Sequence, residues 1–371
     1  MSIKEIISGL ETSSEKQVKK YAASGKKVIG WTGPYAPIEL VMAFDMVPIG
    51  VWGKNGEVTG AKEYFPAFYT SIVLRTIDMG LAGELDELSG MIISDLSDGL
   101  KGLSQNWKIA VKKVPMLYLG YGQNRKIDAG IEYNRIQHQK LVENLEKISG
   151  KKFDPAKAKE AIVLTNKHRK AMTEFTDLAA KHLNTVTAAL RGKVFASALV
   201  YDIKEHLEIM EKINAELKSM PEEKFDGKKI VVTGVLVDDK DILSIIDDNK
   251  LGIVDDNTVA ESCQYDTLVS ESESDPMKAL SQQIADIEGN MFLFDEKKLR
   301  GKIIADKVKA KGADGVLYVM TKFCESDEFD YPIVRDDLNK AKIKNVRIEI
   351  DQQMNNFEQA RTAIETFKDI L

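Results

Sequence analysis

Cysteine is scarce in this chain of 371 residues, which contains only Cys263 and Cys324. Two thiols that lie far apart in the sequence do not make the framework of a small disulfide-stabilised protein. They also cannot fill an all-cysteine zinc or iron–sulfur site on their own. Stability must therefore come from a buried apolar core, which a chain of this length can build.

Long apolar runs and blocks of basic residues are absent as well. No apolar stretch approaches the roughly 18–20 residues that a membrane-spanning helix needs, and residues 1–5 (MSIKE) lack the apolar segment of a secretory signal. The formal net charge is −6, without zinc-finger spacing or a basic cluster. The sequence therefore predicts a cytoplasmic protein that binds neither membranes nor nucleic acid.

Histidine is also rare. Four histidines occur in lysine-rich stretches of helical pattern, namely His138, His168, His182 and His206. None lies beside a cysteine, in an H-E-x-x-H motif or in a loop that follows a predicted strand, so we interpret all four as surface or packing residues. The glycine fingerprints of phosphate-binding loops are missing too. Neither a serine–histidine–aspartate site nor a nucleotide-binding loop is predicted.

What the sequence does contain is an alternation of short apolar strands with helices. Strands are predicted at 27–31, 46–52, 90–94 and 116–119, and again at 227–234, 251–254, 315–320 and 344–351. Helices are predicted at 38–45, 70–81, 98–106, 239–248 and 355–371. Strands separated by helices of about ten residues indicate βαβ units and parallel sheets.

The middle of the chain interrupts this alternation, because it is rich in Lys, Glu, Ala and Leu with apolar residues at helical spacing. The predicted fold is therefore α/β, with two doubly wound, Rossmann-like parallel sheets joined by a helical segment. The expected divisions are an N-terminal helix within 1–25 (residues 3–24), a first α/β domain at 26–126, a helical connector at 127–225 and a second α/β domain at 226–371.

Chemistry is expected beyond the carboxyl ends of the strands, where ligands bind in open parallel sheets. The segments there are 32–35, 94–98, 233–236, 321–324 and 351–353, and we expect them to meet in a crevice between the two sheets. Cys324 lies in one of them and precedes the acidic residues Glu325, Asp327 and Glu328, whose charges would raise the pKa of its thiol. From the residues alone, Cys324 is either a small buried apolar side chain or part of a site.

Residues 322–332 (KFCESDEFDYP) resemble the K-F-C-(D/E)-x-x-E-(Y/W/F)-D-Y-P signature of the β subunits of (R)-2-hydroxyacyl-CoA dehydratases. Residues 349–353 (EIDQQ) and 357–362 (FEQART) resemble two further motifs of that family, E-x-D-Q and x-E-Q-x-(R/K)-T-R. Other landmarks lie at 64–68, 98–100, 105–107, 123–125 and 238–243. The resemblance runs over essentially the whole chain. Benzoyl-CoA reductase subunits belong to the same superfamily, but the motifs fit the dehydratase branch better.

The resemblance implies a lyase of anaerobic amino-acid fermentation. Members of the family remove water from (R)-2-hydroxyacyl-CoA thioesters to give (E)-2-enoyl-CoA through a ketyl radical. The dehydratase is an αβ heterodimer with a [4Fe-4S] cluster held by three cysteines per subunit, and a separate ATP-dependent iron–sulfur activator delivers the electron. The catalytic cluster and the acyl-CoA are expected mainly in the α subunit.

This sequence departs from the family at the cluster positions. Thr70 and Ser97 replace two of the three cysteines, and only Cys324 remains. Neutral hydroxyls are poor ligands for clusters that thiolates hold, so we predict no cluster in this chain and interpret Cys324 as vestigial. Cys324 would bind metal only if Ser97 or Thr70 also did. Cys263 stands where the family has an arginine, which removes an interface or substrate contact. No catalytic residue is assigned to this chain.

The leading hypothesis is therefore an accessory β subunit whose α partner holds the catalytic centre. A non-catalytic structural or binding protein that retains the fold is the alternative, favoured by the two lost ligands and disfavoured by the retained motifs. An enzyme that uses the crevice without iron is a third hypothesis, and the lack of a histidine or nucleophile arrangement argues against it.

Overall fold

The computed structural model describes residues 2–371 and contains two sheets of four parallel strands each. The first consists of β1 (Val28–Thr32), β2 (Val47–Gly50), β3 (Gly90–Ser94) and β4 (Met116–Leu119) in the order β2-β1-β3-β4. The second consists of β5 (Lys228–Gly234), β6 (Leu251–Thr258), β7 (Gly315–Thr321) and β8 (Lys344–Ile350) in the order β6-β5-β7-β8. The two sheets thus share one topology, and the predicted α/β fold with two parallel sheets is confirmed.

The first sheet is accompanied by α1 (Ile3–Ser8), α2 (Ser14–Ala23), α3 (Ile38–Met42), α4 (Ser71–Leu81) and α5 (Asp98–Ala110). The single helix predicted at 3–24 is wrong, because two helices occupy this stretch. Ser13 starts the second helix, since its hydroxyl accepts a hydrogen bond from the backbone N–H of Lys16 at 3.3 Å. A serine N-cap of this kind stabilises a new helix start and so divides the polar pattern in two.

Four helices fill the middle of the chain: α6 (Asp128–Ser149), α7 (Pro155–Ala179), α8 (Ala188–Val200) and α9 (Ile203–Ser219). Gly150 ends α6 in the left-handed conformation, with φ of 73°. Asp154 then caps α7, and Pro155 occupies its first position. Glycine after a helix and proline at the start of the next are favoured by backbone geometry. These local signals explain why the segment forms separate helices.

The second sheet is accompanied by α10 (Lys240–Asp248), α11 (Pro276–Asp286), α12 (Arg300–Lys311), α13 (Glu325–Lys340) and α14 (Glu358–Ile370). Strand β6 ends at Thr258 rather than at the predicted residue 254. Its last four residues are polar and so break the apolar pattern, but they are buried in the structure. Lys307 pairs with Asp255 at 2.8 Å, and Arg191 pairs with Asp256. Buried charges need such partners, and the apolar pattern of the sequence does not reveal them.

The stretch that follows β6 packs against the first unit. Val269, Leu280 and Ile284 belong to the same hydrophobic cluster as the core of the first sheet. The buried Arg125 guanidinium donates hydrogen bonds to the carbonyl oxygens of Ile284 and Ala285, at 2.7 and 2.5 Å. The core of the first unit is therefore completed by residues from the second, and the predicted domain divisions stay a prediction.

Candidate functional site at the carboxyl ends of the two sheets

Thr70, Ser97 and Cys324 occupy equivalent local positions, because each stands immediately before a helix. They are the N-cap residues of α4, α5 and α13 respectively. Helix N-termini present unpaired backbone N–H groups and the positive end of the helix dipole. The site is thus built from three helix starts that come from both units of the chain.

Thr70 and Ser97 lie close together around the first turn of α5. A methyl group placed on Gly99 would be 3.6 Å from the Ser97 Oγ and 3.7 Å from the Thr70 Cγ2. The Ser97 hydroxyl accepts a hydrogen bond from the Leu100 N–H at 3.2 Å, which is ordinary N-capping. The Thr70 hydroxyl is buried and has no hydrogen-bond partner among residues 2–371. The two side chains therefore lie on either side of Gly99, but only the Ser97 hydroxyl has a clear structural role.

Glu325 joins this corner to the second unit. Its Oε1 accepts hydrogen bonds from the backbone N–H groups of Asp98 and Gly99, at 2.8 and 3.3 Å. A carboxylate at a helix N-terminus is favoured by charge-assisted hydrogen bonds and by the helix dipole. Glu325 therefore supplies the negative charge at the start of α5, directly after Cys324 in the chain.

A cavity of about 380 Å³ opens at this junction. It is lined by Phe68, Tyr69, Thr70, Asp98, Gly99, Phe323, Glu325 and Glu328. Its walls thus combine aromatic rings with carboxylates, and of Thr70, Ser97 and Cys324 only Thr70 contributes to them.

The surroundings of Cys324 do not favour a reactive thiolate. It is 4 % exposed and belongs to the apolar core of the first unit. Burial raises the pKa of Cys324 well above its ordinary value, and the Asp327 carboxylate raises it further. Cys263 behaves similarly, since burial raises its pKa and its sulfur accepts a hydrogen bond from Asn257 at 3.4 Å. In these surroundings neither cysteine is favoured as a thiolate nucleophile.

The donor set of the three positions does not fit a [4Fe-4S] cluster. Thr70 and Ser97 offer neutral hydroxyls, and Cys324 offers the one sulfur atom among the three positions. Clusters of this type require several thiolates. Between residues 2 and 371, no three histidine, cysteine or acidic side chains are grouped in a way that could hold a metal ion.

The other loops predicted to converge also contact the opposite unit. The Gln352 N–H donates to the Ser71 Oγ at 3.0 Å, and the Gln352 side chain donates to the Trp52 carbonyl at 3.0 Å. Tyr35 accepts a hydrogen bond from Asn290 at 2.6 Å. These polar contacts hold the carboxyl ends of the two sheets against each other, beside the cavity that Thr70 lines.

All four histidines are buried, and two of them, His138 and His168, line a pocket that also contains Tyr35 of the junction. The ring nitrogens of His168 and His206 are 2.8 Å apart, and His206 also contacts the hydroxyl of Ser197 at 2.9 Å. Burial lowers the pKa of His206 to about 3 and that of His138 to about 4, so both are neutral near pH 7. The packing interpretation agrees with this burial, whereas a surface location is wrong. His182 lies between α7 and α8 rather than within a helix.

Sequence reasoning missed the bridging role of Glu325, which it treated only as an acidic neighbour of Cys324. No periodic pattern relates residue 325 to residues 98 and 99, so nothing in the sequence pairs them. The role of Gln352 was missed for the same reason, although its motif had marked the segment.

The chain matches the model of the family described as "2-hydroxyglutaryl-CoA dehydratase, D-component" over residues 34–371. It therefore belongs to this dehydratase family.

Three curated relatives are similar over nearly their whole length. The (R)-phenyllactyl-CoA dehydratase beta subunit of Clostridium sporogenes is 41% identical, over 98% of this chain and 96% of the relative. The (R)-2-hydroxyglutaryl-CoA dehydratase subunit beta of Acidaminococcus fermentans is 36% identical, over 98% and 97%. The lactoyl-CoA dehydratase subunit beta of Anaerotignum propionicum is 32% identical, over 94% and 93%. The family predicted from the motifs is thus confirmed.

No helix in the described part of the chain is both long enough and apolar enough to cross a membrane.

Proposed function

We propose that this chain is the accessory β subunit of an αβ (R)-2-hydroxyacyl-CoA dehydratase, a lyase that removes water to form (E)-2-enoyl-CoA. The observation that carries the proposal is the near full-length similarity to three proteins named as β subunits of dehydratases with different acyl groups. A role shared by relatives with different substrates fits a subunit that is not the main determinant of acyl specificity.

The proposal places the [4Fe-4S] cluster and most contacts with the acyl-CoA in the α subunit, in a cytoplasmic complex. An ATP-dependent iron–sulfur activator protein is the proposed electron donor. The support from this chain is chemical, because hydroxyls stand at two of the three cluster positions and only one sulfur atom remains.

The residues of this chain then act by holding and positioning. Glu325 closes the N-terminus of α5, and Gln352 ties the second unit to the first. Such contacts across the junction keep the carboxyl ends of both sheets in one fixed arrangement. A rigid β subunit of this kind can complete an interface without taking part in bond breaking.

The test is anaerobic purification of the chain with and without the α subunit, followed by iron and sulfide analysis. We expect dehydratase activity only from the pair, and almost no iron in the isolated chain. About four iron atoms and four sulfides per isolated chain would overturn the cluster-free proposal. Failure to recover any dehydratase subunit with the chain would overturn the subunit assignment.

A Cys324→Ala substitution tests whether Cys324 is vestigial or takes part in the chemistry. We expect the activity of the pair to stay near normal, because a neutral buried thiol contributes packing rather than chemistry. A loss of more than about tenfold with unchanged unfolding behaviour would instead identify Cys324 as a ligand or an electron-path residue.

A non-catalytic structural or binding protein that retains the fold is the second candidate. Thr70 and Ser97 favour it, because they remove the basis for an electron relay through this chain. A partner that dehydrates its substrate equally well without this chain would support that candidate.

A further inference from the structure

Two phenylalanines near the cavity are unusually exposed. Phe329 is 81 % exposed and Phe68 is 65 % exposed, which are the highest values among the large apolar side chains of residues 2–371. Phe323 is also 45 % exposed. A single exposed apolar residue is common on protein surfaces, but a group of them marks an interaction site.

The backbone of Phe323 has an unusual conformation. Phe323 has φ of 59°, in the left-handed region that bulky residues rarely adopt. The Glu328 side chain accepts a hydrogen bond from its N–H at 3.0 Å and holds this conformation. Unfavourable backbone geometry that is retained in this way is typical of positions with a functional constraint.

Two of the three rings line one cavity, and the third lies on the helix that begins beside it. Phe68 and Phe323 line the same cavity of about 380 Å³, together with Glu325. Phe329 lies four positions after Glu325 on α13, and side chains with this spacing are neighbours on one helix face. The surface therefore extends from the cavity along the exposed side of α13.

The charges around the cavity favour a cation. Asp98, Glu325 and Glu328 all line it, and the basic group nearest to Asp98 is the exposed Lys101, whose Nζ lies 3.2 Å from a carboxylate oxygen. Three carboxylates would repel an anion in spite of the nearby helix starts. Aromatic faces combined with carboxylates suit the guanidinium of arginine or the ammonium of lysine.

We propose that this aromatic–acidic face, formed by Phe68, Asp98, Phe323, Glu328 and Phe329, binds the α subunit, with an arginine or lysine of that subunit inserted into the cavity. The inference rests on the proposed function. Large apolar side chains that stay exposed in a free subunit are typical of permanent interfaces, whose centres are rich in aromatic residues. This argues for the permanent partner rather than the transient activator.

The test measures the Kd between this chain and the purified α subunit that is recovered with it, under anaerobic conditions. The double variant Phe68→Ser/Phe329→Ser should weaken binding by more than about tenfold, as expected for exposed aromatic residues at the centre of an interface. Asp98→Lys should weaken it by about three- to tenfold, and more strongly at low ionic strength, because a positive charge is placed against the inserted cation.

Ile109→Ser is the matched control. Ile109 is 62 % exposed and lies near the opposite end of α5 from Asp98. We expect its Kd to equal that of the wild type. Thermal unfolding of the phenylalanine and Ile109 variants should be unchanged, since these side chains lie at the surface. Asp98→Lys should lower the unfolding temperature only slightly, because a positive charge at the start of α5 opposes the helix dipole.

The outcomes separate this inference from the proposed function. If the wild type binds the α subunit and the aromatic double variant binds equally well, the face is not the interface, although the subunit assignment stands. Unchanged binding by Asp98→Lys would overturn the inserted cation. If the variants lost binding to the activator but kept binding to the α subunit, the inference would also be overturned. If the wild type binds no dehydratase subunit, both the inference and the proposed function fail.

Discussion

The two α/β units share a strand order but stabilise the turn after their second strand in different ways. In the first unit, Asp78 accepts hydrogen bonds from the N–H groups of Thr59 and Ala61 at 2.8 and 2.6 Å, and Arg75 on the same helix pairs with it at 3.1 Å. In the second unit, Asp256 accepts from the Thr258 N–H at 2.8 Å. Its arginine partner comes from the middle helices rather than from its own unit.

The difference has an energetic consequence. Arg191 on α8 is 3 % exposed and pairs with both Asp256 and Glu261, the latter at 2.5 Å. Losing the shared cation would leave two buried carboxylates without a counter-charge. Arg75 serves a single carboxylate, whereas Arg191 is shared by two. Backbone N–H groups do not distinguish the two aspartates, since Asp256 accepts from Thr258 and Ser262 just as Asp78 accepts from Thr59 and Ala61. The two units thus share a topology but not a charge network. The network of the first unit is local, whereas that of the second depends on Arg191 from the middle helices.

The largest expected effect is that of Arg191→Met. We expect the free energy of unfolding to fall by about 3–5 kcal/mol, because removing one member of a buried ion network leaves uncompensated charge. Denaturant titration followed by circular dichroism measures it. The triple variant Arg191→Met/Asp256→Asn/Glu261→Gln should recover part of the loss. No recovery would mean that the arginine acts by packing rather than by charge.

Arg75→Met should cost less, about 1–3 kcal/mol, because only one carboxylate loses its counter-charge while the carbonyls of Lys54 and Glu57 lose their hydrogen bonds. The same titration provides the comparison with Arg191→Met. A loss as large as that of Arg191→Met would remove the distinction between the two networks.

Glu261 in the second unit should add its own pH effect on stability. Burial raises the pKa of Glu261 from 4.5 to about 7, although Arg191 opposes the rise. The folded state therefore holds this proton more tightly than the unfolded state. The resulting stability is present below about pH 4.5 and is lost as the pH rises through about 7.

Comparison with Glu261→Gln isolates this contribution, because the other titrating groups are common to both proteins. Between about pH 5 and about pH 7.5, the wild type should lose about 1–2 kcal/mol more than the variant. Parallel stability curves for the two proteins would contradict the raised pKa.

The smallest expected effect is that of Glu325→Gln. The wild-type Glu325 carboxylate joins the two units rather than stabilising one of them. The amide can still accept hydrogen bonds from the N–H groups of Asp98 and Gly99, but it lacks the charge that favours a helix N-terminus. We expect a loss of about 0.5–1 kcal/mol that decreases at high salt. Asp98→Asn, which changes a carboxylate that is 84% exposed, provides the control with almost no loss.

Much of the fold could be predicted because its signals are local. The strands β3 and β4 have the predicted bounds, Gly90–Ser94 and Met116–Leu119, since each is a short run that is rich in apolar residues. The errors fall where a polar interaction overrides that pattern. Ser13 divides the N-terminal helix, and the ion pairs of Asp255 and Asp256 extend β6.

The candidate site could be predicted only in outline. The rule that ligands bind beyond the carboxyl ends of parallel strands placed residues 94–98 and 321–324 at one junction, and Glu325 bonds to residues 98 and 99 there. The exposure of Phe329 and the left-handed backbone of Phe323 had no sequence signal, because both depend on how α13 is oriented against the first unit.

The sequence by itself determined the family and the alternation of strands and helices, because these follow from residue identity and short periodicities. Only the tertiary structure decided which charges share Arg191, that Glu325 closes α5, and that three phenylalanines remain at the surface. Each of these depends on the distance between residues far apart in the chain, and a pattern confined to neighbouring residues carries no information on such distances.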